Sequence, residues 1–350
     1  MSQPVKLLSV ATAVPPYVLD QRDVSAAASQ MFAARYGEFD RLSAVFSTAG
    51  IKQRHAARPL EWYLQPRGWP ERTSAYLDVA QTLFIAAANL ALDRAGLRAT
   101  DVDTVVTVSS TGIATPSLEA RAAGKIGFRS DIRRVPIFGL GCAGGVSGLS
   151  IGASLAAGHP GSVVLVVAVE LCTLSFRLDE LTKANIVATA LFGDGAAACV
   201  LRAGEAGIAE VEASGEHMWA DTLDIMGWNV DPDGFGVVFA QSIPPFAEAN
   251  LGPAVAAILR RDGLSMQDVD RFVCHPGGRK VVAALERALS LHQGSLDHER
   301  DVLELYGNMS APTVLFVFDR VIAAGLPDRS VLTAMGPGFT ASCLTIKKAA

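Results

Sequence analysis

Charge is scarce in this chain. Asp, Glu, Lys and Arg supply 19% of its 350 residues while half are apolar, which argues against disorder and allows a large core in one domain or two fused ones. Neither sign dominates: the net charge is −5, and no run of Lys or Arg offers a surface for nucleic acid or anionic lipid. Long apolar runs are missing too, since no stretch of about 18 residues is free of charge or Gly. The opening MSQPVKLLSVATAVPP lacks the basic start, apolar middle and small-residue cleavage site of a secretory leader. A cytoplasmic protein without a membrane span, acting on small molecules, is expected. The five cysteines, Cys142, Cys172, Cys199, Cys274 and Cys343, are odd in number and far apart, which argues against a disulfide framework. None forms a Cys-x-x-Cys pair, so no metal site is expected.

What is present is α/β patterning. Runs such as DTVVTVSS and SVVLVVAV read as buried strands between Ala/Leu-rich helical stretches. The chain also resembles itself: ALDRAGLRATDVDTVV from Ala91 matches ILRRDGLSMQDVDRFV from Ile258, with Gly96 against Gly263 at an offset of 263 − 96 = 167. An ordinary helix–Gly–strand connection would produce part of that match. Taken as a duplication, it divides the chain into halves at 1–205 and 206–350. Carrying the offset forward from Cys142 lands beside Asn308, so that two helix N-termini could meet at one site.

Cys142 sits in FGLGCAGGVSGLSIG, where a strand-like run turns into a helix of small residues. There the helix dipole and free backbone N–H groups favour a thiolate nucleophile, although a small buried core thiol fits the same context. His275 ends the apolar run RFVC and precedes Pro-Gly-Gly, a place from which an imidazole can take the thiol proton and then steady a developing oxyanion. Asn308, in YGNMSAPT, suits a helix cap. Its neutral amide also suits donation to a thioester oxygen or an enolate.

Five segments in order, GCAGG at 141–145, ALFGDGAA at 190–197, HPGG at 275–278, GNMS at 307–310 and GPGFT at 336–340, resemble those of type III polyketide synthases related to chalcone synthase, over nearly the whole chain. The resemblance implies a duplicated, five-layered αβαβα thiolase fold and a homodimer. It implies free coenzyme A thioesters as substrates, with no cofactor. In it, Cys142 carries the starter and growing chain, His275 and Asn308 serve decarboxylation of malonyl-CoA, and Phe192 lies between the CoA tunnel and the cavity. Ser110, Thr111, Ser175 and Gly338 fall at cavity positions, Thr115 where a residue reaches across the dimer, and Lys52, with Arg54 nearby, where cations meet CoA phosphates. Asp194 reads as structural.

Val237 stands where the family has a second tunnel-side Phe, with Phe235 and Phe239 close by. A smaller residue there implies room for a medium or long fatty acyl starter, extended to an alkylpyrone or alkylresorcinol. Residues 60–76 read equally as a structural loop or a lid. Two rivals stand beside this reading. A ketoacyl-carrier-protein synthase III would carry Gln-Ala-Asn after the His rather than Pro-Gly-Gly, and a non-catalytic thiolase-fold scaffold would not need all three polar residues.

Overall fold

The computed structural model describes residues 3–349. Its centre is a nine-stranded mixed sheet. From the middle outward, one side runs Val5–Ala13, Asp194–Ala203, Val163–Leu171, Thr104–Val108 and Arg133–Ile137, and the other Ala209–Met218, Thr340–Lys348, Arg329–Gly336 and Arg271–Cys274. The sides meet where Val5, Lys6 and Leu7 pair antiparallel with Val211, Glu210 and Ala209. Each side then repeats the same order of pairings, antiparallel, antiparallel, parallel. Only Arg133–Ile137 has no counterpart. The repeat seen in the sequence is therefore a repeat of topology: Gly96 and Gly263 both end helices with positive φ, +64° and +73°, which glycine adopts without strain.

The helices Gly144–Ala157 and Ala311–Gly325 begin at equivalent places, 311 − 144 = 167 residues apart. They form a middle layer packed on strands of both sides, against Val164, Val166, Leu332 and Leu344. Alternation of side chains along a strand makes this possible. On Val163–Leu171, the odd-numbered valines and leucines face an outer helix, while Val164, Val166 and Ala168 face the middle one. Each such side chain contributes about 1.5–3 kcal/mol by burial. The two middle helices touch so closely that a Cβ on Gly145 would lie 2.2 Å from the Ala311 carbonyl oxygen. That contact requires glycine at 145, while Gly144, Gly148 and Gly152 leave room for Val108 and Val166 of the sheet.

Outer layers complete the five-layered thiolase fold, with Trp69–Ala95 on one face and Ile243–Arg261 and Arg279–Ala288 on the other. Trp69–Ala95 is the one helix among the described residues long and apolar enough to cross a membrane. Its Leu83, Phe84, Ala87 and Ala91 are packed into the core beneath the sheet. Residues 60–76 are built into a wall: the Tyr63 and Tyr76 hydroxyls lie 2.7 Å from Thr173 Oγ1 and Ser109 Oγ. All five cysteines are free thiols, and all are buried.

Candidate active site

Cys142 occupies a 3₁₀ turn, Gly141–Ala143, that feeds directly into the helix Gly144–Ala157. Gly141 has φ +47°, and a Cβ there would lie 2.6 Å from Pro337, so only glycine lets the chain turn at that point. Ser110 holds the turn from behind, its Oγ accepting the N–H groups of Gly139 at 3.1 Å and Gly141 at 3.2 Å. His275 follows the strand Arg271–Cys274 and donates its backbone N–H to Thr333 O at 2.9 Å. Both nitrogens of its buried ring have no protein partner.

Asn308 is not the helix cap that its sequence context allowed. Ser310, at φ +57°, holds that position, and Asn308 Oδ1 accepts the Ser310 N–H at 2.8 Å. This bond fixes the amide orientation. Nδ2 then has one hydrogen directed at Gly277 O, 3.3 Å away, and a second free to donate. The Asn308 backbone is pinned to Leu191 O at 2.8 Å and to the Gly193 N–H at 3.0 Å. Cys142, His275 and Asn308 line one cavity with Gly277, Met226 and Phe239, enclosing about 400 Å³ of non-atom space partly open to solvent.

The electrostatics of the site oppose the thiolate expected at the helix N-terminus. Burial pushes the Cys142 thiol up to about 12, helped by the Glu170 carboxylate and opposed by Ser310 and Asn308. Burial alone lowers His275 to about 4. Desolvation outweighs the helix dipole, because a buried charge loses more hydration than one helix end returns. Burial thus disfavours both the Cys142 thiolate and the His275 imidazolium. Iodoacetamide should therefore inactivate the free protein slowly at pH 7, and faster as the pH passes the ordinary thiol value of about 8.5. A rate already at its plateau below pH 7.5 would mean that a thiolate–imidazolium pair forms in the free site.

Glu170, which the sequence reading did not single out, is fully buried behind the nucleophile turn and pushed up to about 8 by burial. It accepts the Ser110 N–H at 2.9 and 3.0 Å and the Thr111 hydroxyl at 2.7 Å. Its position within an apolar strand gave no signal. Ser110 and Thr111 thus hold Glu170 rather than line the catalytic cavity, and Thr111 borders a smaller cavity with Tyr76 and Phe235. Ser175 and Phe192 border a third, apolar cavity of about 490 Å³ together with Cys172, Leu19, Met31 and Tyr63.

Val237 lies between Phe235 and Phe239 on one face of its strand, but lines neither the catalytic nor the apolar cavity. Opposite it stands Trp228, whose ring meets Phe192 edge-on at 6.2 Å and whose Nε1 donates to Ser110 O at 2.8 Å. The large side chain beside Phe192 on this ribbon is thus Trp228, on the strand paired with Val237.

Thr115 is exposed and precedes a cis proline. Gly338, at φ +71°, makes the turn between two strands and does not line the catalytic cavity. Lys52 is exposed. Arg54 is not a surface charge: it is buried, and donates to the carbonyls of Thr189, Ala190 and Phe192 that end the helix Lys183–Leu191, where a cation is favoured. Asp194 is structural, its carboxylate accepting the N–H groups of Ala57 at 2.7 Å and Thr173 at 2.8 Å.

The family models for the N- and C-terminal domains of chalcone and stilbene synthases match residues 2–205 and 210–349. The chain belongs to this family. Among curated relatives, a 1,3,6,8-tetrahydroxynaphthalene synthase of Streptomyces peucetius subsp. caesius is 39% identical over 97% of this chain and 92% of its own length. A putative chalcone synthase of Bacillus subtilis is 34% identical over 97% of each. The crystal structure of the Streptomyces coelicolor 1,3,6,8-tetrahydroxynaphthalene synthase, a bacterial type III polyketide synthase, superposes with a TM-score of 0.94 at 28% identity over 99% of each chain. This chain is thus a type III polyketide synthase, one of a family of acyl-CoA condensing enzymes.

Proposed function

We propose that this enzyme loads an acyl group from coenzyme A onto Cys142 and extends it with malonyl-CoA, using His275 and Asn308 and no bound cofactor. The convergence of these three side chains on one cavity carries the reading. His275 takes the thiol proton as Cys142 Sγ attacks the thioester carbonyl, and the imidazolium returns that proton to the departing CoA sulfur. Malonyl-CoA then loses carbon dioxide. The resulting enolate oxygen is held by the Asn308 Nδ2–H and a His275 N–H. Its carbon attacks the Cys142 thioester, forming the new C–C bond and releasing the thiolate. Lys52, which is exposed, is assigned to the CoA phosphates.

The starter in this reading is a medium or long fatty acyl group, and the product an alkylpyrone or alkylresorcinol. The apolar cavity beside Phe192 and Ser175 supports it, because each methylene buried there is worth about 0.8 kcal/mol. A second reading, an aromatic polyhydroxylated product built from malonyl units alone, is favoured by the tetrahydroxynaphthalene synthase at 39% identity and by Trp228 filling the space opposite Val237. The test is kcat/KM across acetyl-, hexanoyl-, lauroyl-, palmitoyl- and coumaroyl-CoA, with malonyl-CoA alone as a further arm. A maximum at lauroyl or palmitoyl upholds the first reading; turnover of malonyl-CoA alone that no acyl-CoA improves upholds the second. Trp228→Ala is expected to raise kcat/KM for long starters relative to acetyl by about tenfold, since the removed indole frees space next to Phe192. An unchanged ratio would place Trp228 outside the acyl path. The proposal includes a homodimer, supported by two exposed apolar side chains, Ile113, two residues before Thr115, and Phe138, 54% and 56% accessible in the single chain, and checked by the solution mass.

A further inference from the structure

We infer that Arg177 is a positioning residue that sets how Trp228 meets Phe192, and so which starters the site accepts, by tying the tip of the Met226–Phe239 hairpin to the segment that carries Ser175 and Phe192. The inference rests on the condensing reaction proposed above. The strands Met226–Asp231 and Gly234–Phe239 pair only with each other, and a lone two-stranded ribbon is marginally stable in water. Yet this ribbon supplies Met226 and Phe239 to the catalytic cavity and Trp228 to the ring contact with Phe192. Its position must be set by something outside itself.

Arg177 supplies the charged restraint at the tip. Its Nη1 reaches both carboxylate oxygens of Asp231, at 2.7 and 2.6 Å, while Asp231 Oδ1 also accepts the turn N–H groups of Asp233 at 2.9 Å and Gly234 at 3.1 Å. One carboxylate thus closes the hairpin turn and docks it. The guanidinium is buried, with Nε donating to Asp179 at 3.2 Å. The Arg177 backbone is fixed as well: its N–H donates to Asn185 Oδ1 at 3.3 Å, and Asn185 Nδ2 donates to Arg177 O at 2.7 Å and Glu180 O at 2.8 Å. Asn185 is fully buried in the helix Lys183–Leu191, whose end presents Phe192. Arg177 thus ties the hairpin tip to the helix that ends at Phe192, alongside two indole tethers: Trp69 Nε1 donates to Asp231 O at 2.9 Å and Trp228 Nε1 to Ser110 O at 2.8 Å. A planar fork with several fixed N–H groups can do this, and the single ammonium of Lys cannot.

Asp231→Asn tests the latch, because the amide oxygen can still cap the turn while the charge pair is lost; Arg177→Lys is the second variant. Three quantities are read on the same preparations: the ratio of kcat/KM for lauroyl- to acetyl-CoA, the rate of malonyl-CoA decarboxylation, and hydrogen exchange over residues 226–239. Both variants should shift the starter ratio by about five- to tenfold, as expected for losing a charge-assisted pair. They should speed exchange in the hairpin and leave decarboxylation within about twofold. Asp233→Ala, at an oxygen 3.7 Å from the guanidinium, should resemble the parent. An unchanged starter ratio in both variants overturns the inference, and so does a uniform fall in rate for every starter, which is what a merely structural role would give. If the parent condenses nothing, the functional reading fails instead.

Discussion

Cys142→Ala is expected to fold and to form no polyketide, with condensation falling by at least about 10³ because no other group can carry the acyl chain between steps. Incubation with an acyl-CoA followed by mass spectrometry should place an acyl adduct on Cys142 in the parent and none anywhere in the variant. The other thiols give the contrast. Cys199 and Cys343 are buried within the sheet and Cys172 borders the apolar cavity, so their Ala variants should still condense. Full activity in Cys142→Ala would remove the proposed chemistry, and a parent that never acquires an adduct would favour a binding scaffold.

Removing either proposed enolate donor should cost nearly as much. His275→Ala and Asn308→Ala are each expected to lower malonyl-CoA decarboxylation by about 10²–10³, the loss typical of one preorganised oxyanion donor. Decarboxylation is the right readout because it needs no starter and isolates the enolate. Asn308→Ala also strips the Ser310 N–H of its acceptor, so its melting temperature should accompany the rate. Asn308→Asp separates the two effects, since it keeps the Ser310 acceptor and replaces the donor by a negative charge beside the enolate. Slow decarboxylation in Asp with a parental melting temperature supports donation; parental rates in both Asn308 variants would show that the enolate is held elsewhere.

Corrections to the sequence reading fall where neighbours distant in sequence decide the outcome. Arg54 looked like a surface cation in GIKQRH, yet it closes the end of a helix more than a hundred residues later. Val237 promised space, but Trp228 comes from the partner strand of its own hairpin. The thiol was expected to be acidic from its helix N-terminus, a local feature, whereas burial by the whole cavity dominates and pushes it the other way.

The sequence by itself determined the class, the duplication and the glycine-bounded turn that carries Cys142. Those rest on local rules: apolar periodicity marks strands and helices, glycine marks the positive-φ helix ends at Gly96 and Gly263, and small residues after Cys142 mark a helix pressed against another backbone. Tertiary structure alone decided which groups see the cavity and how they are charged. Glu170 became a buried acid behind the nucleophile because two strand ends converge on it. His275 is lowered because the assembled layers bury its ring. Exclusion of water is a property of the assembled fold, and no stretch of sequence carries it alone.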